Sequence, residues 1–135
     1  MVRLGIGLYG IDNANGKEIH LQTVATLKTT IAQTRTVKAN DTVGYNKKGI
    51  LGRESKIATI RIGYADGFNR KLSNGVGSVF VKNKMAKVIG NVCMDMIMID
   101  VSDINCEEGD EVIIFDTQKE VLEMASQAKT ISYEI

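Results

Sequence analysis

Tyrosines beside glycines are the residues of this sequence whose chemistry is easiest to anticipate. The 135-residue chain has four tyrosines, three phenylalanines and no tryptophan. Tyr45 and Tyr64 each follow a glycine, and Tyr9 precedes one. A buried phenol needs a hydrogen-bond partner, whereas a phenol on a glycine-rich turn is presented to its surroundings. The pattern therefore indicates phosphate binding, proton transfer or substrate gating, with tyrosines at the rim of a β-domain as the alternative.

Other catalytic patterns are weak. The single histidine, His20, has no metal-ligating neighbours in the sequence, and we expect it to be a surface residue at the end of a strand. Cys93 lies two residues before Asp95 but has no histidine nearby, so we expect a small buried residue rather than a nucleophile. The sequence predicts no metal site.

Charge and composition argue against two classes of partner. The net charge of +1 gives no electrostatic case for binding nucleic acid or an anionic membrane. No apolar run approaches the roughly 20 residues that a membrane-spanning helix needs. Cys93 and Cys106 form no disulfide scaffold or CxxC pair, and the first residues do not resemble a signal peptide, so we expect a cytoplasmic protein.

Apolar residues and β-branched residues recur in short segments that predict a mainly β domain. Residues 4–11 alternate glycine with apolar residues and predict a short buried strand. Residues 82–84 predict the turn of a hairpin. Further strands are expected within 21–37 and at 56–62, 79–81, 85–89, 94–101 and 111–115.

One helix is expected, and it lies late in the chain. Thr117 has the spacing of an N-cap, with Glu120 three residues later to complete a capping box. Several short strands followed by one helix predict a barrel or sandwich. The apolar stripe of the helix consists of Val121, Leu122, Met124, Ala125 and Ala128.

The segment 12–16 is the predicted domain boundary, because its residues favour turns and tolerate left-handed backbone. Both ends of the chain fall in apolar sequence, whereas natural termini are usually polar and frayed. We therefore expect residues 1–14 to be a remnant of a preceding domain. Residues 15–135 are expected to be a β-domain truncated before its final strand.

Four short motifs are far more specific in combination than any one of them alone. They are Val43-Gly44-Tyr45, the Ile-Gly-Tyr-Ala-Asp-Gly-Phe of 62–68, the Gly-Asn-Val-Cys-Met-Asp of 90–95, and Ile131-Ser132-Tyr133. In this order and spacing the sequence resembles the C-terminal domain of alanine racemase over nearly its whole length. Residues 2–10 resemble the last strand and loop of the (β/α)8 barrel before that domain. The resemblance implies a mainly β, barrel-like fold with one short late helix.

The resemblance also implies roles for individual residues. Tyr45 corresponds to the catalytic tyrosine that exchanges the Cα proton on the L-alanine side. A phenol has a reference pKa of about 10, so such a base needs nearby positive charge, whose source the sequence does not identify. Met94 corresponds to the residue whose main-chain N–H contacts the substrate carboxylate. Tyr64 and Arg70 correspond to residues at the substrate entrance, although Tyr64 is equally compatible with the barrel core.

Pyridoxal 5'-phosphate (PLP) is the implied cofactor, and four residues of this chain are implied to bind it. Arg3 would face the pyridine nitrogen; because a guanidinium keeps its proton, that nitrogen would stay unprotonated, which suits racemisation. Gly5 and Ile6 would offer main-chain N–H groups to the phosphate, and Tyr133 its hydroxyl. The lysine that forms the Schiff base is absent from this chain, so we expect the chain alone to be inactive.

The implied partners are L- and D-alanine, the N-terminal barrel domain of the same enzyme, and a second subunit. In such a homodimer Tyr45 and Met94 would act across the interface. Asn91 departs from the family pattern, in which an arginine is common, and this predicts a less positive entrance. Two alternatives stay open: a racemase for serine or a broad range of amino acids, and a non-catalytic β-barrel interaction domain. The latter predicts that Tyr45, Tyr64 and Met94 do not converge.

Overall fold

The computed structural model describes residues 1, 5–12 and 21–135. Arg3, His20 and most of the turn predicted at 12–16 lie outside the described residues. Within the described residues the chain is mainly β and has one α-helix, α1 (Gln118–Ala128). The strands are β1 (Leu27–Val37), β2 (Thr42–Val43), β3 (Gly49–Ile50), β4 (Ser55–Ile60), β5 (Ser78–Val81), β6 (Lys84–Ile89), β7 (Ile97–Asp100) and β8 (Glu111–Phe115).

Six strands close into an antiparallel barrel in the order β1-β4-β7-β6-β5-β8, with β8 returning to pair with β1. The long strand β1 closes the barrel by dividing its length between two neighbours. Lys28 in its first part lies opposite Ile113 of β8, and Thr34 in its second part lies opposite Ala58 of β4. The register shifts between Ile31 and Gln33, where a bulge lets the strand bend from one neighbour to the other.

Aliphatic side chains fill the barrel, because alternate residues of each strand point inward. A second, smaller cluster lies under the short β2–β3 ribbon and consists of Val37, Val43, Leu51, Ile57, Cys93 and Met98. A third consists of Ile6, Ile11 and Val121, the last of these on α1. The main cluster includes Ala58, Ile60, Val79, Val81, Val88, Ile97, Ile99, Val112 and Ile114.

Several local predictions are confirmed. Lys82 and Asn83 join β5 to β6 with φ of 48° and 62°, the left-handed geometry of a tight two-residue hairpin. At the start of α1, Thr117 Oγ1 accepts from the Glu120 N–H at 3.3 Å, and Glu120 Oε2 accepts from the Thr117 N–H at 3.2 Å. Strand β8 covers the predicted residues.

The strand predicted at 4–11 is wrong. In the described part of this segment, Ile6–Tyr9 forms a 3-10 turn that ends at Gly10 in left-handed geometry, with φ of 79°. A strand needs a neighbour with which to pair. The segment instead packs Ile6 and Ile11 against Val121.

Two other strands start later than predicted, each for a local structural reason. Strand β1 starts at Leu27 rather than near residue 21, because Leu27 lies opposite Phe115, where its partner β8 ends. Strand β7 starts at Ile97 rather than Met94. The Cys93 N–H donates to the Met96 carbonyl at 3.0 Å, which folds residues 93–96 into a turn.

Candidate active site

Tyr45 lies on a tight turn between β2 and β3. The turn, Tyr45–Lys47, needs left-handed backbone at Gly44, Asn46 and Lys47, with φ of 77°, 58° and 53°. Glycine and asparagine tolerate this geometry, whereas lysine does so at a cost of about 1–2 kcal/mol. The turn leaves Tyr45 70% exposed. It therefore presents the phenol at the surface instead of packing it in the core.

Close backbone contacts seat the β2–β3 ribbon against the segment after β6. A Cβ on Gly90 would lie 2.6 Å from the Val43 carbonyl oxygen, and one on Gly49 would lie 3.0 Å from the Gly90 nitrogen. Only glycine allows this approach. The Asn91 Nδ2 group then donates to the Tyr45 carbonyl at 3.2 Å. The turn carrying Tyr45 is thus tied to residues just before Cys93.

Tyr64 and Met94 lie on two turns that are joined through their main chains. The Tyr64 N–H donates to the Cys93 carbonyl and the Ala65 N–H to the Met94 carbonyl, both at 3.0 Å. Gly63 makes the junction possible, since a Cβ there would lie 2.2 Å from the Met94 carbonyl oxygen. The Tyr64 turn and the Met94 turn therefore have a fixed relative position.

Met94 lies at the surface of this junction, and among the described residues its carbonyl is used while its N–H is not. The residue is 55% exposed, and its N–H donates to no group in the described part of the chain. Cys93 beside it is buried, and this burial raises the pKa of its thiol while the charge of Arg70 acts weakly in the opposite direction. The thiol is therefore a poor nucleophile, consistent with the small buried residue expected from the sequence.

Arg70 and Tyr64 form a pair at the same surface. The Arg70 guanidinium carbon lies 5.5 Å from the centre of the Tyr64 ring, within the range of a cation–π contact. Tyr64 is 45% exposed, which rules out the alternative that it fills the barrel core.

Gly5, Ile6 and Tyr133 meet at a second location, beside α1. The Ile6 N–H donates to Tyr133 Oη at 3.2 Å. A Cβ on Gly5 would lie 2.4 Å from the same oxygen, so the absence of a side chain there leaves room for the hydroxyl. The Tyr133 hydroxyl accepts the bond from the Ile6 N–H and keeps its own O–H, a donor that fits a phosphate oxygen. The three residues border a cleft of about 640 Å³.

The structure brings together the predicted residues in two groups. Contacts join the Tyr45, Tyr64 and Met94 segments at one surface, contrary to the expectation for a non-catalytic barrel. From the sequence Asn91 stands out only as a departure in charge; its contact with the Tyr45 turn depends on chain pairing that no local pattern reveals. Across residues 5–12 and 21–135 there is no group of three or more His, Cys, Asp or Glu side chains suited to a metal ion. The same residues contain no helix long and apolar enough to cross a membrane.

Comparison with known proteins gives a consistent result. The chain is 41% identical to alanine racemase of Alteromonas mediterranea over 136 residues, which cover 98% of this chain and 38% of that protein. Its fold matches a structure of alanine racemase from Clostridium difficile 630 with a TM-score of 0.89 and 35% identity, covering 99% of this chain and 36% of that one. A structure from Bartonella henselae with covalently bound pyridoxal phosphate matches with a TM-score of 0.88 and 32% identity, over 96% of this chain and 36% of that one.

The chain thus spans little more than a third of the length of the relatives it matches. The family model described as "Alanine racemase, C-terminal domain" matches residues 24–135. The barrel and the late helix lie within these residues. This chain belongs to the alanine racemase family and carries its C-terminal domain.

Proposed function

We propose that this chain acts in a PLP-dependent alanine racemase, in which it supplies Tyr45 as the L-side catalytic residue. The observation that carries the proposal is the junction of the Tyr45, Tyr64 and Met94 segments at one surface. A phenol that gives and takes a proton and a main-chain N–H that binds a carboxylate suit the racemisation of a small amino acid at this side of the substrate.

Tyr45 would give and take the Cα proton on the L face of alanine. A candidate acid or base must first reach the reacting atom, and a phenol on an exposed turn can approach a substrate held by another domain. Its 70% exposure supports a role at a surface that is covered in the complete enzyme. A second base is needed on the opposite face, and we assign it to the N-terminal barrel domain.

Met94 would orient the substrate through its main-chain N–H. A carboxylate accepts hydrogen bonds from backbone N–H groups, and such charge-assisted bonds are stronger than neutral ones. The turn is held by the bonds from Tyr64 and Ala65 to the Cys93 and Met94 carbonyls, so its N–H direction is fixed before substrate arrives. Tyr64 and Arg70 would border the path by which alanine enters.

Gly5, Ile6 and Tyr133 would hold the phosphate of PLP, together with Arg3 at the pyridine nitrogen. When bound, PLP supplies the electron-withdrawing group that makes the Cα–H of the amino acid acidic enough to exchange. The Ile6 N–H and the Tyr133 hydroxyl are bonded to each other at 3.2 Å, so Ile6 would exchange this bond for one to the phosphate, while the Tyr133 O–H would donate to the same group. Gly5 leaves room for the Tyr133 hydroxyl, which a Cβ at this position would meet at 2.4 Å.

We further propose that a second subunit and the barrel domain cover this surface in the complete protein. Exposed apolar side chains at the site support such a partner, because monomeric soluble proteins seldom expose large contiguous apolar patches. Those near the site are Tyr45, Ile50, Tyr64, Met94 and Met96. Size-exclusion chromatography with light scattering of the complete protein tests whether it is a dimer.

Isotope exchange tests the function directly. The complete protein that carries this chain is incubated with PLP and either L- or D-alanine in deuterated water, and Cα deuterium is followed by NMR. We expect exchange and racemisation of both enantiomers. Tyr45→Phe is expected to slow exchange from L-alanine by about a hundredfold or more, because a positioned acid–base group is lost.

Exchange from D-alanine is the internal control and should change much less. Equal losses from both enantiomers would contradict the assignment of Tyr45 to the L face. Faster exchange with serine than with alanine would favour the alternative substrate class, and no exchange with any amino acid would refute a racemase.

A further inference from the structure

Asn91 lies where three loops meet, and its side chain bonds to two of them. Its Nδ2 group donates to the Tyr45 carbonyl at 3.2 Å. Its Oδ1 atom accepts from Asn74 Nδ2 at 3.1 Å. Its main-chain carbonyl is 3.5 Å from the Cys93 sulfur, which donates to it. Asn91 therefore contacts both the turn that carries Tyr45 and the turn that carries Met94.

The chemistry of the partners fixes the orientation of the Asn91 amide. The Tyr45 carbonyl can only accept a hydrogen bond, so the Asn91 nitrogen must face it. The Asn91 oxygen then faces Asn74, which must donate. Asn74 is held in turn, because its N–H donates to the Gly90 carbonyl at 2.8 Å. Reversing the Asn91 amide would place two carbonyl oxygens against each other.

The Tyr45 turn depends on such outside support. Strands β2 and β3 pair at only two positions, Thr42 with Ile50 and Val43 with Gly49. A two-stranded ribbon of this length is not stable by itself. The left-handed geometry at Lys47 adds strain, although asparagine tolerates the same geometry at position 46. A hydrogen bond to the Tyr45 carbonyl acts at the residue that carries the phenol.

We propose that Asn91 is a positioning residue for the L-side proton transfer, acting by holding the main chain of Tyr45 through its carboxamide. The inference rests on the proposed function of Tyr45. It predicts that the hydrogen-bond donor at position 91, rather than the charge of the entrance, sets the rate on the L face. Asn91 has no contact with substrate in this role.

Asn91→Asp tests the donor, because the side chains have the same shape but a carboxylate cannot donate to the Tyr45 carbonyl. The added negative charge lies at an entrance that both enantiomers share, so the difference between L- and D-alanine isolates the loss of the donor. In the complete protein we expect exchange from L-alanine to fall about tenfold in kcat with little change in KM, since small displacements of a reacting group are costly. Exchange from D-alanine should change less than about twofold. Asn74→Ala is the matched control, because it removes the other partner of Asn91 and leaves the bond to Tyr45; its expected loss is less than about threefold.

A second measurement tests the hydrogen bond between Asn91 and the Tyr45 carbonyl without measuring catalysis. The barrel closes within this chain, so the amide NMR spectrum of residues 45–48 can be recorded on the 135-residue chain. Asn91→Asp should shift these amides at neutral pH. The shifts should revert below about pH 4, where a protonated carboxyl regains a donor.

The outcomes separate the two proposals. No racemisation by the unsubstituted protein would overturn the proposed function and the positioning role with it. With an active unsubstituted protein, equal losses from both enantiomers, or no loss, would overturn the positioning role alone. Unchanged amides at 45–48 in Asn91→Asp would also overturn it.

Discussion

The segments around Tyr45, Tyr64 and Met94 are joined by hydrogen bonds to main-chain carbonyls, whereas the segment around Gly5 combines apolar packing on α1 with single hydrogen bonds to the side chains of Tyr133 and Gln118. At the first surface the critical distances involve carbonyl oxygens of Cys93 and Met94. At the second, Ile6 and Ile11 bury their side chains on Val121. Hydrogen bonds between turns fix direction, whereas apolar contact fixes only proximity. The two surfaces should therefore respond differently to substitution.

Among the substitutions that compare the two surfaces, Gly63→Ala should lower the free energy of unfolding the most. The new Cβ would lie 2.2 Å from the Met94 carbonyl oxygen and 2.5 Å from that of Cys93, and neither backbone group can move without breaking its bond. We expect the free energy of unfolding to fall by about 3 kcal/mol. The KM for alanine should rise in the complete protein, because the Met94 N–H is displaced.

Urea denaturation of the 135-residue chain and steady-state kinetics of the complete protein measure these two quantities. Gly52→Ala is the matched control, since a Cβ at Gly52 meets no heavy atom within 4 Å. A Gly63→Ala protein as stable as the Gly52→Ala protein would show that the two turns separate without cost.

Ile6→Ala should have an intermediate effect and a local one. Truncating an isoleucine that is 7% exposed costs about 2 kcal/mol. Because Ile6 belongs to a cluster separate from the barrel core, the loss should free residues 5–12 while the barrel stays folded. Hydrogen exchange followed by mass spectrometry should detect faster exchange at 5–12 only.

Ile60→Ala provides the contrast, because Ile60 is fully buried in the barrel core. It should lower the midpoint of global thermal unfolding. A similar fall in midpoint for Ile6→Ala would mean that the segment 5–12 and the barrel unfold as one unit.

Thr117→Ala should have the smallest effect. It removes the side chain that accepts from the Glu120 N–H at the start of α1, a loss of about 1 kcal/mol. Thr117→Ser keeps the hydroxyl and should be nearly neutral. Neither should alter isotope exchange with alanine, since the Tyr45 surface has no contact with this cap. The midpoints of thermal unfolding of the unsubstituted, Thr117→Ser and Thr117→Ala chains, measured at one protein concentration, rank their stabilities.

Local features of this fold were predictable from the sequence because neighbouring residues determine them. The capping box at Thr117 and Glu120 requires only three-residue spacing, and the hairpin at Lys82–Asn83 only a turn flanked by apolar runs. The order in which strands pair was not predictable in this way. Nothing near Leu27 or Phe115 in the sequence indicates that these two residues face each other.

The residues of the candidate site show the same difference between local patterns and contacts between distant segments. Tyr45, Tyr64 and Met94 were singled out by motifs that are conspicuous locally, and the structure adds how their turns are joined. Asn91 was noted only as a residue that departs from the family pattern, because its bonds reach Tyr45 and Asn74, 46 and 17 residues away. The strand predicted at 4–11 is wrong because the alternation of glycine with apolar residues is a local pattern. A strand also requires a partner strand, which can lie far away in the sequence and which this pattern does not supply.

The pairing of β1 with β8 has a consequence for synthesis. Lys28 and Glu111, which form an ion pair across this seam, are 83 residues apart in the chain. Strand β1 is synthesised before the other strands of the barrel, and its first part has no barrel partner until β8 has emerged. Because loop closure over such a separation is slow, the nascent domain exposes an unpaired strand edge for most of its translation. During that interval the charged residues of β1, Lys28 and Arg35, disfavour pairing with other chains.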